Sequence, residues 1–150
     1  QLRGRKKDTI VLLGGENIEP LPIESKIKES RFVASAVVFG TNEKGEDQRY
    51  LTAIILPNQD ELASYAEENG IQADTYEKLV ETEAIQKLIE NEVAEAVNSK
   101  NGFKAYERIN KIALITKPFE VGVEMSAEQE IMRYRIAEIY KDKIAKMYAD

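Results

Sequence analysis

Two strand-length apolar runs, residues 33–39 and 49–56, constrain this chain most. The first is Val, Ala and Phe broken only by Ser35 and ends at Gly40; the second is stopped by Pro57-Asn58. Between them lies a polar segment, residues 41–48, with Gly45 inside it. Apolar runs of this length bounded by turn residues read as paired strands, here a hairpin with a long tip. A sheet needs its apolar faces covered, and the rest of the chain supplies helices to do so.

Residues 22–30 predict a helix with Ile23 and Ile27 facing inward at i, i+4. Asp60 is the expected N-cap of a helix over 61–68, closed by Asn69-Gly70. Residues 75–100 carry the clearest helical period, with Ile85, Leu88, Ile89, Val93, Ala96 and Val97 along one face. They form either one long helix or two broken near 81–83. Glu90, Glu92 and Glu95 fall on the other face, which reads as solvated surface. Asn101-Gly102 ends the helix, residues 103–110 read as a polar connector, and residues 111–116 form a third strand before Pro118. An acidic loop over 120–130 precedes a last helix from about Ile131, with Ala137, Tyr140, Ile144 and Met147 inward. Near the start, residues 9–13 and 16–18 flank Gly14-Gly15 and read as a short hairpin. The expected class is α+β: a small, mostly antiparallel sheet, three-stranded plus an N-terminal hairpin, packed with helices.

With 150 residues the chain makes one domain. Its net charge of −6 argues against general affinity for nucleic acid or an anionic membrane. No apolar run approaches the roughly 20 residues that span a bilayer, and no secretory signal is evident, so the expected location is cytoplasmic. The chain has neither Cys nor His. That removes disulfides, thiolate nucleophiles, the usual zinc sites and histidine acid–base chemistry. Any chemistry falls to Lys, Arg, Tyr, carboxylates or backbone groups, and no metal site is expected.

The opening segment combines Gly4-Arg5-Lys6-Lys7-Asp8 with Gly14-Gly15-Glu16-Asn17-Ile18-Glu19-Pro20. The basic residues, with Arg3, are either a solvated charged end or a local phosphate site. The glycines make an ordinary turn or let another molecule approach the backbone closely. The chain is thus expected to begin at a joint.

These residues resemble the hinge and first motif of the C-terminal domain of acyl-adenylate-forming enzymes, and more narrowly of long-chain fatty-acid–CoA ligases. Asn101-Gly102-Phe103-Lys104, Tyr106-Glu107-Arg108-Ile109 and Lys117-Pro118-Phe119 keep the order and spacing of that branch. The resemblance covers essentially the whole chain. It implies a hinge segment over 1–8 and a lid domain over 9–150. The enzymes of this family activate a carboxylic acid with ATP to an acyl-adenylate, release pyrophosphate, and pass the acyl group to coenzyme A. Fatty-acid pocket, phosphate loop and magnesium belong to a large N-terminal adenylation domain, so the lid alone is expected to be inactive. The implied partners are that N-terminal domain, fatty acid, ATP and coenzyme A. The implied location includes attachment to a membrane periphery through the parent enzyme.

By the same resemblance Lys7 is the hinge residue, and Arg5 approaches the adenylate ribose or phosphate, a task suited to a planar bidentate fork. Gly15, with Gly14 beside it, lines the passage for the pantetheine arm of coenzyme A. The family carries a catalytic lysine in a Lys-x-x-Arg pattern after a threonine-rich loop. Here the matching stretch is Met125-Ser126-Ala127-Glu128-Gln129-Glu130-Ile131-Met132-Arg133. Arg133 keeps the register, but Glu130 stands in the lysine's place. Three explanations are open: adenylation is impaired while thioester formation survives, a lysine comes from elsewhere, or the chain serves another substrate or a non-catalytic role. Locally, Glu130 would cap or charge the last helix's N-terminus. The alternative to an enzyme lid is a non-catalytic nucleotide- or CoA-binding or interaction module on the same fold. A nucleotide-binding regulator is a third reading, resting on the Arg3–Lys7 cluster alone.

Overall fold

The computed structural model describes residues 9–128 and 130–149. Strands β1 (Ile10–Val11) and β2 (Asn17–Ile18) pair as the expected short antiparallel hairpin. Helix α1 (Pro20–Ile27) starts two residues earlier than predicted, because Pro20 and Pro22 both fit the first turn, where a missing N–H costs nothing. Strands β3 (Val33–Thr41) and β4 (Asp47–Pro57) form the predicted hairpin, each a little longer than its apolar run. Helix α2 (Gln59–Glu68) is capped by Asn58, not Asp60; the Asn58 side chain accepts from the Glu61 N–H at 3.2 Å.

The long helical stretch is two helices, α3 (Tyr76–Val80) and α4 (Glu83–Ala96). Thr82 divides them: its hydroxyl accepts from the Ile85 N–H at 3.4 Å and donates to the Leu79 carbonyl at 2.7 Å. The acidic face of α4 is exposed at Glu90 and Glu95, while Glu92 is half-buried and accepts from the Ser30 hydroxyl. Two single 3-10 turns, Ser99–Asn101 and Ala105–Glu107, occupy the stretch before β5 (Ile109–Leu114). The last helix begins at Arg133 and is interrupted at Tyr140, giving α5 (Arg133–Ile139) and α6 (Lys141–Tyr148).

The larger sheet runs β3-β4-β5. β3 joins β4 antiparallel, but β5 joins β4 parallel, so this sheet is mixed. A parallel neighbour requires a long crossover, and α2, α3 and α4 supply it. Both faces of the sheet are covered. On one, Ile23 and Ile27 of α1 and Ile85, Ile89 and Val93 of α4 pack with Ala36, Val38, Ala53 and Ile55. On the other, Ile136 of α5 and Ile144 and Met147 of α6 pack with Val37, Phe39, Ile54 and Ile115. Alternate β3 residues therefore feed opposite layers, as the pleat demands. In the last helical segment Ile144 and Met147 are buried as expected and Ile136 is buried with them, while Ala137 and Tyr140 are only half-buried.

Candidate functional site

The glycine turn closes on itself. The Gly15 N–H donates to the Leu12 carbonyl at 2.8 Å and the Leu12 N–H to the Glu16 carbonyl at 3.0 Å. Gly15 sits at φ 89°, a conformation that side chains other than glycine rarely adopt. A Cβ built there meets nothing within 4 Å, so its outer side faces open space. Gly14 has no such backbone demand; its Cβ would stand 2.7 Å from the Glu16 carboxylate, the far end of a flexible side chain. Val11 and Leu13 beside the turn are exposed. Arg5 and Lys7 lie outside the described residues.

The hairpin is seated on β3. Gly40 makes room for it, since a Cβ at Gly40 would stand 2.3 Å from Ile10 Cγ2 and 3.3 Å from Leu12 Cδ2. Two residues along the same strand, Val38 receives the other candidate segment. Its N–H donates to Glu24 Oε2 at 2.8 Å, and its carbonyl accepts from Arg133 Nε at 3.0 Å. Arg133 Nη2 lies 2.5 Å from the same Glu24 oxygen, closing a ring of three bonds. Both side chains are largely withdrawn from water, at 7% exposure for Glu24 and 16% for Arg133. β3 is an edge strand, and this pair satisfies outward backbone groups that no neighbouring strand takes up. Removing one member of a buried, hydrogen-bonded ion pair typically costs about 3–5 kcal/mol.

Glu130 lies three residues before Arg133, on a densely hydrogen-bonded loop. The N–H groups of Val123, Glu124 and Met125 converge on the Glu120 carbonyl at 3.1 Å each. The Glu124 side chain is buried and accepts from the Glu120 N–H at 2.8 Å. Gly122, at φ 87°, donates its N–H to the Met125 carbonyl at 2.7 Å. The Ser126 N–H donates to the Glu130 carbonyl at 2.8 Å, and the Glu130 N–H to Ser126 Oγ at 3.2 Å. The Met132 N–H is taken by the Glu124 carbonyl at 2.9 Å. Residue 130 is exposed yet hydrogen-bonded at both backbone groups. It does not cap α5 as expected: the cap is Met132, with no side-chain cap bond.

The half-buried Tyr140 ring lies near this loop. Burial first, and the Glu124 charge second, hold its hydroxyl above the usual phenol pKa. Among the described residues no group of three or more acidic side chains is placed to hold a metal ion. A groove of about 810 Å³ runs along β5 between α4 and α6, past Ile109, Lys111, Glu90 and Lys146. Neither Gly15 nor Glu130 lines it. The two candidate segments are thus brought to one strand.

Sequence reading missed Glu24 and Gly40. Glu24 lies 109 positions from its partner and sits among ordinary polar helix residues. Gly40 looked like a strand terminator, whereas it is a packing position within β3.

A long-chain-fatty-acid–CoA ligase from Gallus gallus is 28% identical over 169 residues, spanning 99% of this chain and 21% of that protein. A probable acyl-activating enzyme of Arabidopsis thaliana chloroplasts is 31% identical over 149 residues, spanning 98% of this chain and 19% of that protein. The chain therefore covers about a fifth of the length of these relatives. Among solved structures, the adenylation domain of a Mycobacterium chelonae carboxylate reductase superposes with a TM-score of 0.76 at 22% identity, over 97% of this chain and 20% of that one. A Mycobacterium tuberculosis fatty acyl CoA synthetase does so with a TM-score of 0.53 at 18% identity, over 91% and 20%. These two likenesses establish the shared fold. The family model of the AMP-binding enzyme C-terminal domain matches residues 7–150; with this extent of match, the chain belongs to the AMP-binding enzyme C-terminal domain family, within the adenylate-forming superfamily that includes the long-chain fatty-acid–CoA ligases.

Proposed function

We propose that this chain is the mobile lid of an ATP-dependent ligase that activates a long-chain fatty acid as its adenylate and passes the acyl group to coenzyme A. The observation that carries this reading is the seating of the hairpin that carries Gly15, and of Arg133 that follows the residue-130 loop, on one strand, β3, two residues apart at Gly40 and Val38. A lid that serves two half-reactions needs both segments fixed to one rigid body that turns as a unit. In this reading residues 1–8 form the hinge segment, with Lys7 at its pivot, and residues 9–150 the lid. Arg5 faces the adenylate, and Gly15 leaves space for the pantetheine arm. The magnesium ion, most of the ATP site and the acyl pocket are assigned to an N-terminal domain. The parent enzyme would work in the cytoplasm or at a membrane periphery.

Glu130 does not fit the donor role of the family's lysine, because a carboxylate repels the negative charge that builds on the α-phosphate. Loss of one such preorganised donor typically costs about 3–4 kcal/mol, or roughly 10²–10³ in rate. No adenylation step is therefore routed through this residue. A non-catalytic module is the second reading, and Glu130 is the observation in its favour. The deciding experiment assays the full-length parent with ATP, coenzyme A and a panel of fatty acids, as the native sequence and as Glu130→Lys. We expect acyl-dependent pyrophosphate release, rising in the variant. An increase of less than about twofold would sink the idea that position 130 limits adenylation. Absence of acyl-CoA formation by either protein would favour the module.

A further inference from the structure

Arg133 is the one residue of the family's Lys-x-x-Arg pattern that this chain keeps, and it does not reach outward as a ligand-binding arginine would. Its guanidinium is turned into the protein, with Nε on the Val38 carbonyl and Nη2 on Glu24. Glu24 belongs to α1, which covers one face of the sheet, and Arg133 to α5, which covers the other. The pair meets around the β3 edge and joins the two layers there. From Arg133 the chain runs back through Met132, held by the Glu124 carbonyl, to residue 130, held by Ser126.

We propose that Arg133 is a positioning residue, which with Glu24 sets where residue 130 stands on the lid surface. Two anchors on one planar fork, Nε on the Val38 carbonyl and Nη2 on Glu24, fix direction as well as distance, so the two residues between Arg133 and position 130 have little freedom. A misplacement of about 1 Å at a reacting centre can cost a hundredfold in rate, which gives the lid a reason to hold this loop so firmly. The proposal deepens the lid reading and rests on it for its catalytic consequence, while the geometric claim stands apart from activity.

The chain contains no cysteine, so Glu130→Cys takes a single nitroxide label, and Lys87→Cys on α4 gives a distant exposed control. Electron paramagnetic resonance is expected to show an ordered label at 130. Arg133→Gln should shift that label to a mobile spectrum and leave the label at 87 unchanged. Glu24→Gln, which keeps an acceptor for the Val38 N–H, should act in the same direction and carries the comparison if Arg133→Gln fails to fold. An unchanged spectrum at 130, or equal mobilisation at both sites, overturns the proposal, since a merely structural residue loosens the whole domain.

In the parent enzyme carrying Glu130→Lys, Arg133→Lys should lower kcat for adenylation by about tenfold or more. KM for ATP and transfer from supplied acyl-adenylate to coenzyme A should stay within about twofold. Equal losses in both half-reactions count against positioning. If neither parent protein forms acyl-CoA, the lid reading fails, and the spin-label comparison still decides the role of Arg133.

Discussion

At Gly15 the backbone is held at φ 89°, and the space where a side chain would stand is empty. Substitution by alanine there carries a backbone cost alone, about 1–2 kcal/mol for an L-residue in the left-handed region. At Gly40 the backbone is ordinary strand, and the cost is collision: the new Cβ would stand 2.3 Å from Ile10 Cγ2. Either the β1–β2 hairpin lifts from β3 or the strand moves, and forced overpacking of this kind costs about 1–3 kcal/mol. Thermal melts of the two variants should separate these causes. Gly15→Ala should fall by a few degrees, at about 2–4 °C per kcal/mol for a domain of this size, with the hairpin intact. Gly40→Ala should fall further and should also expose Ile10 and Leu12 to faster amide exchange. A smaller loss at Gly40 than at Gly15 would mean that the hairpin is not seated as described.

Helix α6 is fastened to the sheet by tyrosines. The Tyr148 hydroxyl lies 2.9 Å from the Tyr50 carbonyl and 3.1 Å from the Phe39 carbonyl, where it donates, and it accepts from Thr52 Oγ1 at 3.2 Å. Tyr50 donates in return to the Met147 carbonyl at 3.3 Å, and the two rings pack 5.1 Å apart. Burial, opposed by the Thr52 hydrogen bond, pushes the Tyr148 phenol up to about 12. The unfolded chain, titrating near 10, releases this proton first, so the unfolded state binds fewer protons between those values. Stability is then complete below about pH 10 and falls as pH rises toward 12. Tyr76 and Tyr140 are shifted in the same direction and contribute to the decline. Urea titrations from pH 9 to 12 should show a shallower fall for Tyr148→Phe than for the native chain; equal slopes would rule out Tyr148 as a source. Elements like these were unequally legible in sequence. The β3–β4 hairpin announced itself because apolar runs and turn residues are local signals. A break near 81–83 is one of two readings the sequence allows; the structure puts it at Thr82, whose hydroxyl competes for backbone groups. The parallel entry of β5, the tyrosine fastening of α6 and the Glu24–Arg133 pair were not legible, because each depends on residues about 50 to 110 positions apart meeting only after the layers assemble. For the same reason Gly15 could be found from its neighbours, whereas the seat that fixes it, Gly40, could not.

Among the described residues, the sheet is the middle of three layers, and α5 and α6, with Phe119 and Ile131 of the loop before them, cover one of its faces. Val37, Phe39, Ile54 and Ile115 are at most 3% exposed because Ile136, Ile144 and Met147 lie on them. A chain ending at Thr116 keeps the other layer complete, with α1, α4 and their core, yet opens this face to water. Contiguous apolar surface on a small domain favours association. The same truncation removes the Arg133 guanidinium from Glu24, leaving a carboxylate in a site built for an ion pair, a loss of about 3–5 kcal/mol in comparable pairs. We therefore expect the truncated chain to bind a hydrophobic dye such as ANS, to associate at micromolar concentration and to lose its cooperative melt. The two losses can be told apart. Glu24→Gln in the truncated chain removes the buried charge and should recover part of the melting transition without reducing dye binding, whereas Phe39→Thr should reduce dye binding without recovering the transition. A truncated chain that stays monomeric and melts within a few degrees of the intact one would mean that α5 and α6 are accessories to the fold. Their attachment would then be loose enough to move the residue-130 loop independently of β3, and the picture of a lid turning as one rigid body would have to be given up.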